Sequence, residues 1–262
     1  MKPDEADGPE TRTLLRSVIE GSGLSRRKAF TAIREGRVRV DGRVHDEPSE
    51  RFEGGALTLD GATLQAAASE KVYLLLNKPP GFMSTRSDER GRRTVYDLVP
   101  AAARVSGLHS IGRLDRDTSG LLLLTNDGDL TFRLTHPSHE VEKEYWLRLE
   151  QPATEEQLAG MRGGVEVDGA LRRPLRLRRL EDREPFQLAM TIREGRRRQV
   201  RRMFEAVGAR VVMLRRVREG SLQLGSLPEG AVRPLTREEL AALWGLPNQA
   251  APAGSEGIAG GL

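Results

Sequence analysis

Residues 112–128 read GRLDRDTSGLLLLTNDG, setting Asp115, Asp117 and Asp127 with Arg113 and Arg116 around four consecutive leucines. A carboxylate fixed at the entry of an apolar strand and kept ionised by a cation can act as a nucleophile. Paired with one another on a solvated turn, the same charges would contribute only about 0 to 1 kcal/mol each, so stability does not require them. Asp115, the last residue of GRLD, is the first candidate for chemistry.

Metal chemistry fits these residues less well. Asp115-x-Asp117-x-Ser119-Gly120 has the spacing of the first half of a calcium loop. The twelfth position, however, is Asn126 where a bidentate glutamate belongs, and leucines fill positions seven to ten. His136 and His139 have the spacing of a ligand pair but lack neighbours to complete a closed site, so no metal is expected. Cysteine is absent, which excludes disulfides, zinc ribbons and thiol nucleophiles.

Cations come from further along. In REGRRRQVRRM, Gly195 would let backbone approach a site and Arg196 follows it directly. Between Leu171 and Arg218 there are 16 arginines against five acids, although the whole chain carries only +4. Interleaved with apolar residues, such a block reads as a folded face for a polyanion, since the planar guanidinium matches phosphate; a solvated charged face is the plainer alternative.

The elements that must position these residues follow from length and pattern. At 262 residues, 37% hydrophobic and 31% charged, the chain can form one large domain or a large and a small one. LLRSVIEGSGLSRRKAFTAIREGRVRVDGRV predicts two short helices and a hairpin, with Ser25 capping the second helix and Asp41-Gly42 at the turn. Arg26, Arg27 and Lys28 fall in that helix's first turn, where the helix dipole opposes cations unless an anion is near. After NKPPGFMST come an apolar strand at 121–125, a short helix capped by Asp129, and strand KEYWLRLE, in which alternation sends Tyr145 and Trp146 to opposite faces. A helix near 154–161 follows, then strands near GVEVDG, LRLRRL and FQLAMTIRE, helix RRQVRRMFEAVG, and strand VVMLRRV. Thr236 and Glu239 form a capping box opening a last helix that ends near Gly245.

This order predicts an α+β fold: a mixed, largely antiparallel sheet with flanking helices, preceded by a small α+β domain. The expected boundaries are a disordered 1–10, a small domain and connection at 11–69, a large domain at 70–247 and a disordered tail at 248–262. No apolar run approaches a membrane span, and MKPDEADGPE lacks the apolar core of a secretory signal, so a cytoplasmic location without a membrane partner is expected.

SRRKAFTAIREGRVRVDGRV resembles the small RNA-binding module named after the fourth small-subunit ribosomal protein. GRLDRDTSGLLLLTNDG, with NKPPGFMST before it and KEYWL and REGRRRQVRRMFEAVG after it, resembles the bacterial ribosomal RNA pseudouridine synthases of the RsuA/RluB type. That resemblance runs in order from about Thr11 to Leu243. It implies isomerisation of a uridine in ribosomal RNA, on a base turned out of its stack, with no cofactor or metal.

The resemblance also implies roles. Asp115 would be the catalytic carboxylate, attacking the ribose anomeric carbon or the uracil ring, or acting through a glycal. Tyr145 would be the active-site tyrosine, and Arg196 the cation paired with Asp115, an assignment ambiguous by one or two positions within Arg196-Arg197-Arg198. Arg113 would fill the gap left by the flipped base. For RNA binding, Arg26, Arg27 and Lys28 would grip a neighbouring helix, and Arg197, Arg198, Arg201 and Arg202 would contact backbone phosphates; Asp117 and Gln199 would be structural or RNA-facing. The motif form and the arginine-rich second half favour large-subunit RNA. The rivals are a small-subunit enzyme, a synthase acting on tRNA, and a non-catalytic RNA-binding assembly factor. A monomer is the default.

Overall fold

The computed structural model describes residues 13–64 and 70–245. The disorder expected at 1–10 and 248–262, and the 65–69 part of the expected connection, lie outside the described residues. The chain forms two compact units: Met1–Val72 with Val99–Ser110 and Leu124–Asp127, and Tyr73–Leu98 with Ile111–Leu123 and Gly128–Leu262.

In the first unit, α1 (Leu14–Ser22) starts at Thr13, whose side chain accepts from the Arg16 N–H, and α2 (Arg26–Arg34) starts at Ser25, which accepts from the Lys28 N–H at 3.3 Å. Leu14, Val18, Ala29 and Ile33 pack with Val38 and Leu57 into a small core. Arg26, Arg27 and Lys28 remain exposed in the first turn of α2. Strands β1 (Val38–Val40), β2 (Arg43–Val44), β3 (Leu57–Leu59) and β4 (Ala62–Thr63) form a sheet in the order β2-β1-β3-β4. Asp41-Gly42 and Asp60-Gly61 close its two hairpins, all four residues at positive φ as a type I′ turn demands. The first hairpin is the one expected from the sequence; the second falls in the later part of the 11–69 domain and connection, where no hairpin is expected.

Next in chain order, β5 (Tyr73–Lys78), β6 (His109–Ile111) and β7 (Ser119–Thr125) precede α3 (Gly128–Thr135), with Asp129 inside its first turn rather than at the cap. Then come β8 (Lys143–Leu149), α4 (Glu155–Gly163), β9 (Val165–Val167), β10 (Ala170–Arg172), β11 (Arg176–Arg179) and β12 (Leu188–Ile192). Helix α5 (Gln199–Ala206), β13 (Val211–Glu219), β14 (Leu222–Gln223), β15 (Val232–Pro234) and α6 (Arg237–Trp244) complete the described chain. The main sheet runs β11-β12-β8-β13-β7-β5-β15, while β14 pairs with β13, β6 with β7, and β9 and β10 pair separately.

The fold is α+β and the sheet is mixed: β13–β7 is parallel, and β11–β12, β12–β8, β8–β13 and β15–β5 are antiparallel. Every residue of β7 is buried, which explains its unbroken apolar run. Leu121 and Leu123 face Leu75, Ile111, Leu130 and Leu134 in the core. Gly120, at φ +104°, lies against the Arg216 backbone so closely that a Cβ would sit 2.2 Å from its carbonyl oxygen; only glycine admits this parallel pairing. Capping boxes open α4 at Thr154/Gln157 and α6 at Thr236/Glu239, and Gly245 ends α6 in the left-handed conformation.

Candidate active site

The loop carrying Asp115 is held by backbone contacts from the NKPPG turn. Lys78 is fully buried, and its ammonium donates to the carbonyls of Thr118 at 2.8 Å, Pro79 at 3.0 Å and Arg116 at 3.3 Å. Burial pulls its pKa down to about 8, against the opposing pull of Asp117 and Asp115. The Gly81 N–H donates to the Arg116 carbonyl at 2.7 Å, and Ser84 Oγ donates to the Leu114 carbonyl at 2.9 Å. The Thr118 N–H closes the turn on the Asp115 carbonyl at 3.1 Å. All of these bonds engage main chain, so the Asp115 side chain stays free: among the described residues its carboxylate has no ion-pair or hydrogen-bond partner.

That carboxylate lines a cavity of about 330 Å³ together with Arg113, Tyr145, Gly195, Arg196 and Arg216. Asp115, Tyr145 and Arg196 therefore converge from three distant stretches of chain. The expected pairing of Arg196 with Asp115 is not present. The Arg196 Nε lies 3.5 Å from Glu194, and the side chain is half exposed at the cavity rim. Gln199 fixes the Glu194–Gln199 corner instead, accepting from the Arg196 N–H at 3.0 Å and donating to Glu194 at 2.7 Å. Gly195 leaves open space where a Cβ would be.

Two arginines serve Asp117 rather than Asp115. Arg198 Nη1 lies 3.1 Å and Arg201 Nη2 3.2 Å from its carboxylate. Arg201 is 4% exposed and also donates to the carbonyls of Asp117 at 3.1 Å and Val211 at 2.7 Å. The phosphate contact expected of Arg201 is thus corrected: its two Nη groups bond inside the protein, tying α5 to the Asp115 loop. Arg202 is bonded to Asp168, so it too is engaged. Arg113 and Arg197 line the cavity exposed and, among the described residues, without a partner. Among the described residues, neither Arg113 nor Arg116 pairs with an aspartate; the turn's one paired carboxylate, Asp117, is held by Arg198 and Arg201 instead.

Tyr145 sits on β8 between Met190 and Arg216 of the flanking strands, with 7% of its surface exposed. Burial pushes its phenol up, while the positive charge of the neighbouring Arg216 guanidinium pulls the other way. Trp146 takes the opposite face, its ring 6.1 Å from Phe186. The cavity is also lined by a charged cluster that no sequence motif announces. Arg216 and Glu219, both buried, approach to 3.1 Å, and Lys143 Nζ stands 3.7 Å from Glu219. A bulge between Arg216 and Arg218 turns residues three apart toward one face, which regular strand alternation forbids. Arg216 Nε is anchored on the Leu121 carbonyl at 2.8 Å.

Among the described residues, no group of three or more histidines, aspartates or glutamates is placed to hold a metal. Among the described residues, no helix is long and apolar enough to cross a membrane.

Comparison with known proteins gives the same picture from outside. The profile of the RNA pseudouridylate synthase family matches residues 72–206, and that of the S4 domain matches residues 18–57. The ribosomal large subunit pseudouridine synthase B of Bacillus subtilis (strain 168) is 38% identical over 231 residues, covering 86% of this chain and 93% of that protein. The ribosomal small subunit pseudouridine synthase A of Salmonella typhimurium is 39% identical over 231 residues, covering 86% and 97%. A crystal structure of a pseudouridylate synthase superposes with a TM-score of 0.63 at 36% identity, over 88% of this chain and 99% of that one. A basic-triplet module, a GRLD loop above a buried strand, and a cavity joining Asp115 to Tyr145 are thus features of a chain that belongs to the RNA pseudouridine synthase family, RsuA/RluB type, with an N-terminal S4 domain.

Proposed function

We propose that this chain converts one uridine of large-subunit ribosomal RNA to pseudouridine, with Asp115 as its nucleophile. The observation that carries the reading is the free Asp115 carboxylate, held through its main chain at a cavity rich in arginine. The bond from ribose C1′ to uracil N1 breaks, the uracil turns, and a bond from C1′ to C5 forms. A proton leaves C5 and one is gained at N1, so product and substrate have the same composition and oxidation state. That chemistry calls for neither a redox cofactor nor a metal.

Tyr145, whose phenol burial pushes further above its ordinary value, stacks its ring on the extruded base and offers its hydroxyl as a donor. Arg198 and Arg201 act at one remove, by clamping Asp117 and with it the loop. Arg196 and Arg197 meet RNA at the cavity rim, and Arg113 enters the gap that the flipped uridine leaves. Arg26, Arg27 and Lys28, exposed on α2, grip the phosphates of an adjoining stem. On this reading residues 11–69 serve as the RNA-gripping domain and 70–247 as the catalytic one, and the enzyme works as a monomer in the cytoplasm.

The form of GRLDRDTSGLLLLTNDG and the arginine-rich second half support the large subunit. Small-subunit RNA is the second reading, favoured by the 39% identity to a small-subunit enzyme. Transcripts of both ribosomal RNAs, labelled with tritium at uracil C5, separate the two. Release from the large-subunit transcript alone is expected, and release from the small-subunit transcript alone would replace the first reading with the second.

A further inference from the structure

Helix α3 carries an aromatic feature that the isomerisation does not use. Leu130 and Leu134 turn into the core, whereas Phe132 is 55% exposed. Its ring lies 4.6 Å from that of His136, tilted by 37°, and 5.3 Å from that of His139, edge-on at 89°. The two imidazoles are 5.8 Å apart, and both histidines are exposed. A single exposed apolar side chain is ordinary, but three adjoining rings open to solvent form a surface.

The protein orients these rings. The Ser138 N–H and hydroxyl meet His136 Nδ1 at 3.3 and 2.7 Å, and His139 Nδ1 donates to the Arg133 carbonyl at 2.8 Å. In the neutral tautomers this leaves His136 Nε2 as a donor and His139 Nε2 as an acceptor, both without a partner among the described residues. The surface adjoins the site already described. Thr135, one helical turn after Phe132 and next to His136, lines the Asp115 cavity.

We propose that Phe132, His136 and His139 form a stacking platform for an unpaired nucleotide flanking the target uridine. The occupant follows from the chemistry. A nucleobase offers a π face to Phe132 and both donor and acceptor edges to the imidazoles, and a base beside an extruded uridine has lost a stacking neighbour. An apolar protein partner fits poorly, because the Ser138 hydroxyl lies on His136 and the exposed neighbours in sequence, Thr135, Ser138 and Glu140, are polar. The proposal rests on the RNA-modifying reading and adds a second base-binding site to it.

The test uses the full chain and a fluorescent single-stranded oligoadenylate of about 12 nucleotides, compared with an abasic strand of equal length and charge. Phe132→Ala should weaken binding of the oligoadenylate roughly 5- to 100-fold, the range expected from one lost base stack, with Phe132→Tyr restoring it and the abasic strand barely affected. Equal binding by Phe132→Ala and wild type would overturn the platform. So would an equal loss on both strands, or a loss that Phe132→Tyr fails to restore. The expected binding pattern from a wild type that releases no tritium from either ribosomal transcript would leave the platform standing and overturn the proposed reaction instead.

Discussion

At the scale of single residues, the site separates groups that hold from groups left free to react. Lys78, Arg201 and Arg198 are engaged with carbonyls or Asp117, while the Asp115 carboxylate beside them is unengaged. Burying a charged lysine has a cost that depends on pH. Because the folded pKa of Lys78 is depressed to about 8 from 10.5, the unfolded chain binds more protons between those values, and the penalty is relieved as pH rises through that window. The stability of the wild type relative to Lys78→Met should therefore rise by about 2 kcal/mol between pH 7.5 and pH 10 in urea unfolding, and a pH-independent difference would contradict the buried ammonium. Glu219 is the counter-charge of Arg216 beneath Tyr145. Glu219→Gln should cost about 3 kcal/mol, since it leaves a buried guanidinium uncompensated; replacing both partners by apolar residues should cost less, measured the same way. At this scale the motifs singled out Asp115 and Tyr145, which the fold brings to one cavity. The clamp was not legible, because five nearly identical arginines between 196 and 202 look alike in sequence, and only the fold decides that Arg201, on α5, points inward and Arg196, in the loop before it, outward.

At the scale of elements, the Asp115 loop is positioned by the strand it enters and by the strand lying parallel to it. Gly120→Ala would put a methyl group against the Arg216 carbonyl at a positive φ, so β7 and β13 must separate or the residue must shift. Destabilisation of about 3 kcal/mol is expected, with a fall in turnover larger than any fall in RNA affinity; a variant with normal unfolding and normal turnover would show that the close pairing is dispensable. Most elements were readable where local chemistry dictates them: Ser25 and Thr236 as caps, Asp41-Gly42 as a type I′ turn, and the leucines of β7 as a strand buried on both faces. What escaped was non-local or irregular. The bulge in β13 shows no turn residue, yet it decides that Arg216 and Glu219 share a face. Short pieces such as β10, β14 and β15 exist only because a neighbouring strand completes their hydrogen bonds.

At the scale of the whole molecule, the chain carries an exposed basic helix start in an S4 domain and an arginine-lined candidate cavity, and both suit a polyanion. Binding to ribosomal RNA should fall steeply with salt. Replacing Arg26, Arg27 and Lys28 with glutamines should flatten the slope of log affinity against log salt by about 2, with turnover at saturating RNA little changed. An unchanged slope would remove the triplet from the interface, and an equal loss of turnover at saturation would place it in the chemistry. The most direct test of the whole account compares the wild type with Asp115→Asn on ribosomal RNA tritiated at uracil C5. Release by the wild type and none by the variant, with RNA affinity retained within about twofold, is the predicted result. Release by both would contradict Asp115 as the nucleophile, and release by neither, on free RNA and on assembling subunits alike, would leave an RNA-binding assembly factor in place of the enzyme.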